Sequence, residues 1–171
     1  KLSFRRFQKL SGDVVVDYLH GNGRIGVIVA GNGASDDAAK EALKNVAMQI
    51  AALHPQYVCD SEVPEEFKEH EIEIIKAQIA NDPKVAGKPE KVIEGMIQGK
   101  LNKELKEICL NDQVYVKAED GKQSVAAYLA QVGKANNANL SVKKFVRFER
   151  GEGMEKKQEN FAEEVAKQMN M

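Results

Sequence analysis

Three histidines, two cysteines and a Glu-His-Glu triplet are the side chains of this 171-residue sequence with the means for metal or acid–base chemistry. A structural zinc site needs four nitrogen or sulfur ligands delivered at short spacings. Cys59 and Cys109 lie far apart, and His20, His54 and His70 are scattered, so no metal site is assigned. The cysteines read as reduced thiols of a cytoplasmic protein. Glu69-His70-Glu71 makes a poor acid–base pair, because adjacent helical residues point about 100° apart. It reads as a solvated charged face. Gly31-Asn32-Gly33 precedes a helix but lacks the Gly-Lys-Ser/Thr that completes a phosphate loop, and no Gly-x-Ser-x-Gly elbow occurs. No catalytic residue and no cofactor follow from these residues, and the chain is not expected to be an enzyme.

With bond-making groups set aside, surface recognition is the remaining chemistry. Lys plus Arg is 25 against 26 Asp plus Glu, which argues against a broad electrostatic grip on nucleic acid or an anionic membrane. No apolar run approaches the roughly 20 residues that span a bilayer. The opening residues, Lys1 to Phe7, show no signal peptide. They read as an internal boundary of a longer protein, with a segment expected upstream.

The elements that must position a recognition surface are legible from period and turn chemistry. Residues 12–20 alternate as a strand, with Val14, Val16 and Tyr18 on one face and Asp13 and Asp17 on the other. Gly21-Asn22-Gly23 tolerates the positive φ of a tight turn, and residues 25–30 form an apolar second strand. Gly31-Asn32-Gly33 breaks the chain, and Ser35 or Asp36 caps a helix to about Leu53. Its stripe is Ala39, Leu43, Val46, Ala47 and Ile50, and His54-Pro55 ends it. Pro64 opens a second helix to about Asn81, with Phe67, Ile72, Ile74, Ile75 and Ile79 on one side. A third helix runs to about Cys109 on the seam Ile93, Ile97, Leu101, Leu105 and Ile108. Gly95 and Gly99 fall opposite that seam, either facing a close partner or simply tolerated on a solvated surface. These two helices predict a projecting antiparallel, coiled-coil hairpin roughly 30 Å long. Val114-Tyr115-Val116 is a short extended piece, followed by a helix from Ser124 to Val132 ended by Gly133. Residues 140–149 are a last strand that must pair with the first hairpin, and a terminal helix carries Phe161, Val165 and Met169. The strand Lys143–Phe148 has the composition of strands that stack single-stranded nucleic acid. However, Val146 and Phe148 fit a core face and leave only Phe145 for stacking, so no direct nucleic-acid contact is expected.

The expected fold is α+β: a three-stranded antiparallel sheet with helices on one face and an inserted helical hairpin. Residues 1–59 form the first part of a dimerisation-type core, 60–110 the hairpin, and 111–171 the remainder with the terminal helix.

These pieces, in order, resemble the bacterial elongation factor Ts family. Gly12-Asp13-Val14, Tyr18-Leu19-His20-Gly21-Asn22-Gly23-Arg24-Ile25-Gly26-Val27 is similar to the family's central signature. Ala47–Ala52 with Pro55-Gln56-Tyr57 resembles its next block. Lys88-Pro89-Glu90, Glu94-Gly95-Met96 and Gly99–Lys103 resemble its coiled-coil segment, and Phe145–Lys156 with Phe161–Val165 its ending. The resemblance implies a translation factor that binds elongation factor Tu and loosens its GDP. It implies partner contact by His20, Gly21, Asn22, Gly23 and Arg24 in the turn, by Val116, and by the terminal helix around Phe161. From the residues alone, His20 also has the buried parity to plug the sheet end, Arg24 has Asp13 or Asp17 to pair with, and the terminal helix has its own sheet to pack on. The family's Thr-Asp-Phe-Val motif, which reaches the partner's magnesium region, does not occur in these 171 residues. The chain by itself is therefore expected to bind weakly and to exchange GDP slowly. The other reading of the same residues is a non-catalytic coiled-coil module that oligomerises, with a possible homodimer.

Overall fold

The computed structural model describes residues 5–85 and 87–154. Strands β1 (Val14–His20), β2 (Ile25–Asn32) and β3 (Ser141–Glu149) form one antiparallel sheet in the order β1-β2-β3. The β1–β2 register runs from Val14 opposite Gly31 to His20 opposite Ile25. The turn between them holds Gly21, Asn22 and Gly23 at φ of 58°, 53° and 77°, the left-handed region that glycine and asparagine enter at least cost. Arg24 closes it, its N–H donating to the Gly21 carbonyl at 3.1 Å.

Helix α1 (Asp37–Leu53) starts at Asp36, whose carboxylate accepts from the Ala39 N–H at 2.8 Å. It ends at His54, held left-handed at φ 48° ahead of Pro55. Its expected stripe is buried throughout and meets Val14, Val27 and Val29 of the sheet. Helix α4 (Val125–Ala135), capped by Ser124, joins the same core through Val125 and Leu129. Helices α2 (Glu65–Ala80) and α3 (Glu90–Ile108) pack on each other around a separate core of Ile75, Ile79, Val85 and Leu101. The root of this pair is tied down by backbone bonds: the N–H groups of Gln56 and Tyr57 donate to the Ile108 carbonyl, and the Leu110 N–H donates to that of Tyr57.

Several expectations are corrected here. β2 continues through Gly31 and Asn32, so the break comes only at Gly33, at φ 100°. Gly133 does not end α4. The helix runs on to Ala135, and a Cβ at Gly133 would lie 2.6 Å from the Ala138 carbonyl oxygen. The glycine is there for a close approach. Ile74 is exposed, because the α2 face is narrower than its isoleucines imply. Arg24 pairs with neither Asp13 nor Asp17: its Nε lies 3.4 Å from Glu149 Oε1, while Asp13 accepts from the Gly33 N–H at 2.8 Å.

The largest correction concerns β3. The register slips between Ala30 opposite Lys144 and Gly31 opposite Val142, leaving Lys143 as an extra residue. Such a bulge reverses the side-chain parity beyond it. Phe145 and Arg147 consequently share the core face with their cross-strand partners Val29 and Val27, whereas Val146 and Phe148 point to the other face with Ile28 and Gly26. Arg6 covers Phe148, its guanidinium 4.4 Å from the ring centroid, and the Arg6 Nη2 lies 2.7 Å from Glu152 Oε2.

A strain point lies between α2 and α3. Glu104 is half-buried, and its Oε2 meets no donor; the group beside it is another carboxyl, that of Glu71. Burial, and next the adjacent Glu71 carboxyl, raise its pKa, with a smaller push from Glu107 and a smaller opposing pull from Lys100. A carboxyl whose folded pKa is raised keeps its proton longer in the native state. Helix-pair stability therefore falls as pH rises from the ordinary carboxylate range through the raised value. Glu104→Gln is expected to stabilise the α2–α3 pair at pH 7 by up to about 1 kcal/mol and to flatten this pH dependence. Amide exchange across the pair between pH 4 and 7.5 checks it; equal protection in both proteins at pH 7 contradicts it.

Candidate partner-binding surface

Two exposed patches hold the candidate residues, each fixed by a different part of the scaffold. The first is the 20–24 turn. His20 is exposed, so it does not plug the sheet, and its Nδ1 lies 3.0 Å from the Tyr18 hydroxyl. The turn is bound to β3 twice. The Arg150 N–H donates to the Arg24 carbonyl at 2.8 Å, and the Arg24 guanidinium meets Glu149. The other oxygen of Glu149 accepts from Arg147 Nη2 at 3.0 Å. The result is an ordered loop offering an imidazole, a guanidinium and three backbone units to solvent.

The second patch is the extended piece around Val116. Val114 and Val116 are each 49% exposed, while Tyr115 between them is buried and stacks on Tyr128 with ring centroids 4.1 Å apart. Burial, then the Tyr128 hydroxyl, raise the Tyr115 pKa, so the Tyr115 ring stays neutral at physiological pH. The segment is held by Gln49, a wholly buried amide of α1. Gln49 Oε1 accepts from the Val116 N–H at 2.8 Å, and its Nε2 donates to the Val114 carbonyl at 2.9 Å and to Gln113 Oε1 at 3.2 Å. On its other side the segment pairs with residues 123–125, the Tyr115 N–H donating to the Gln123 carbonyl at 2.8 Å and the Val125 N–H to the Gln113 carbonyl at 3.0 Å. Beside it, a hollow of about 460 Å³ is floored by Leu53 and Val114 and rimmed by Lys103, Lys106 and Glu107.

Phe161 lies outside the described residues. Gln49, Arg147 and Glu149 were not singled out in the sequence. Gln49 carried a signal, a polar residue three after Val46 beside the buried stripe. Arg147 carried none until the bulge is known.

Chemistry is sparse. No group of three or more His, Cys, Asp or Glu that would hold a metal occurs among the described residues. Glu69 and His70 are exposed, whereas Glu71 turns toward Glu104. Cys109 is buried, and desolvation, then Asp112 and Asp60, push its pKa up to about 11, leaving almost no thiolate at neutral pH.

The family model described as Elongation factor TS matches residues 1–152. The chain is 47% identical over 171 residues to elongation factor Ts of Clostridioides difficile (strain 630), covering 99% of this chain and 54% of that protein. It is 46% identical over 172 residues to that of Clostridium novyi (strain NT), again 99% and 54%. It is 46% identical over 170 residues to that of Acetivibrio thermocellus, covering 95% of this chain and 75% of the relative. The chain spans about half the length of the first two.

Proposed function

The chain belongs to the elongation factor Ts family, and from that premise we propose that it works in translation by binding the GTPase elongation factor Tu and promoting release of its GDP. The observation that carries this reading is the pairing of exposure with rigidity. The 20–24 turn and Val116 are open to solvent, yet both are fixed by bonds to the sheet and to α1. A pre-ordered surface loses little entropy on docking, and exchange by a bound protein needs contact energy without a reactive group. The protein is accordingly proposed to be a non-enzymatic cytoplasmic factor; no helix among the described residues is long and apolar enough to cross a membrane.

His20, Gly21, Asn22, Gly23 and Arg24 form one partner-binding element in this reading, Val116 a second, and Phe161 a third. The α2–α3 pair is an antiparallel coiled-coil arm set between residues 1–59 and 111–171. Titration against elongation factor Tu with a fluorescent GDP analogue tests the proposal. Val116→Asp and Arg24→Ala are each expected to weaken binding about tenfold or more, roughly 1.4 kcal/mol. Absence of association at every concentration tested, or variants indistinguishable from the parent, defeats it.

A further inference from the structure

We propose that Arg147 is a positioning residue for the 20–24 turn, acting through Glu149; its role in docking rests on the reading above, whereas its hold on the turn does not. The bulge at Lys143 brings Arg147 to the core face, where it shares a cross-strand row with Val27 and Tyr18. Its side chain is only 8% exposed. A guanidinium cannot shed its proton, so its charge enters the core intact and requires a carboxylate. Glu149, two residues on and therefore on the same face, supplies it at 3.0 Å. That demand fixes the Glu149 rotamer. Its second oxygen then stands 3.4 Å from the Arg24 Nε.

The consequence falls on the turn. An exposed Arg–Glu pair by itself contributes little, because both side chains must be ordered to make it. Here one partner is already immobile, so only Arg24 gives up freedom. Arg24 also carries the two backbone bonds that shape the loop, its N–H to the Gly21 carbonyl and its carbonyl from the Arg150 N–H. The chain of constraint runs from the core through Arg147, Glu149 and Arg24 to the exposed tip, with every link a contact given above.

The test uses the 171-residue chain with Arg147→Met, Arg147→Lys and Glu149→Gln, read by amide exchange and by titration with elongation factor Tu. Arg147→Met and Glu149→Gln are expected to speed exchange of the Gly21–Arg24 amides about fivefold or more while Val27 and Val29 stay protected. Arg147→Lys, which keeps the charge but loses the planar fork, restores part of the protection. Arg24→Ala added to Arg147→Met changes turn exchange no further. Affinity falls about five- to twentyfold in parallel. Unchanged turn exchange in folded variants, or lost affinity with an unaltered turn, overturns the proposal. So does unfolding of all three variants, since Arg147 would then hold the core and not the turn. If the parent chain fails to bind the GTPase, the docking reading falls, and turn exchange still decides the positioning role.

Discussion

Replacing Leu43 with alanine is expected to lower the unfolding free energy by about 3–5 kcal/mol, a large share of the roughly 5–15 kcal/mol that holds such a domain together. Leu43 is wholly buried in α1 and sits over Gly31 of β2. A Cβ built on Gly31 would come 2.5 Å from Leu43 Cδ1, so the leucine fills the space the glycine leaves open. This geometry predicts coupling between the two positions. Gly31→Ala alone is expected to destabilise by about 1–3 kcal/mol through overpacking. In the Leu43→Ala background much of that penalty should vanish, because the new methyl enters the cavity. The remaining conflict is with the Ser141 carbonyl oxygen, 3.1 Å from the same Cβ position. Denaturant unfolding of the two single variants and the double variant gives the interaction term, expected at about 1–2 kcal/mol. Strict additivity shows that Leu43 does not pack as described.

Leu43 is also a case in which the sequence was sufficient. The apolar residues of α1 recur at helical spacing, so the buried face follows from the period alone, and Gly21-Asn22-Gly23 announces its turn because few other residues enter that backbone region. What could not be read was set by longer-range constraint. The β3 bulge moves Phe145 and Arg147 inward and Phe148 outward, yet nothing about Lys143 distinguishes it from Lys144 beside it. A rule of alternation fails completely past one extra residue. Gly133 looked like a stop, since glycine commonly follows a helix, but there it makes room for the backbone at Ala138 and Leu140. The turn was legible through its residue types and became a candidate only through the family resemblance, whereas the residues that fix it, Arg147 and Glu149, became visible only through their register.

Gln49→Leu is expected to separate the scaffold from the surface it presents. The substitution keeps roughly the volume but removes the acceptor for the Val116 N–H and the donor to the Val114 carbonyl. A buried backbone group left unpaired costs about 1–3 kcal/mol; these two are partly buried, so the expected loss lies toward the lower part of about 2–6 kcal/mol unless the segment moves out to reach water. Movement at Val116 is the cheaper path, because its side chain already faces solvent, whereas residues 113–115 are also held by Tyr115 and by backbone bonds to Gln123 and Val125. The Tyr115–Tyr128 stack and the Ala118 N–H to Tyr115 carbonyl bond at 2.9 Å should hold the downstream end, so displacement concentrates at Val116. If Val116 is a contact for elongation factor Tu, affinity then falls about tenfold or more even at temperatures where the variant stays folded. Gln49→Glu keeps the acceptor for Val116 and loses the donor, and should recover part of that affinity at a greater cost in stability, since it buries a charge. A Gln49→Leu chain that melts early yet binds undiminished would show that the 114–116 segment serves only the core. Weakened binding with the fold intact would show that one buried amide sets the shape of the second contact.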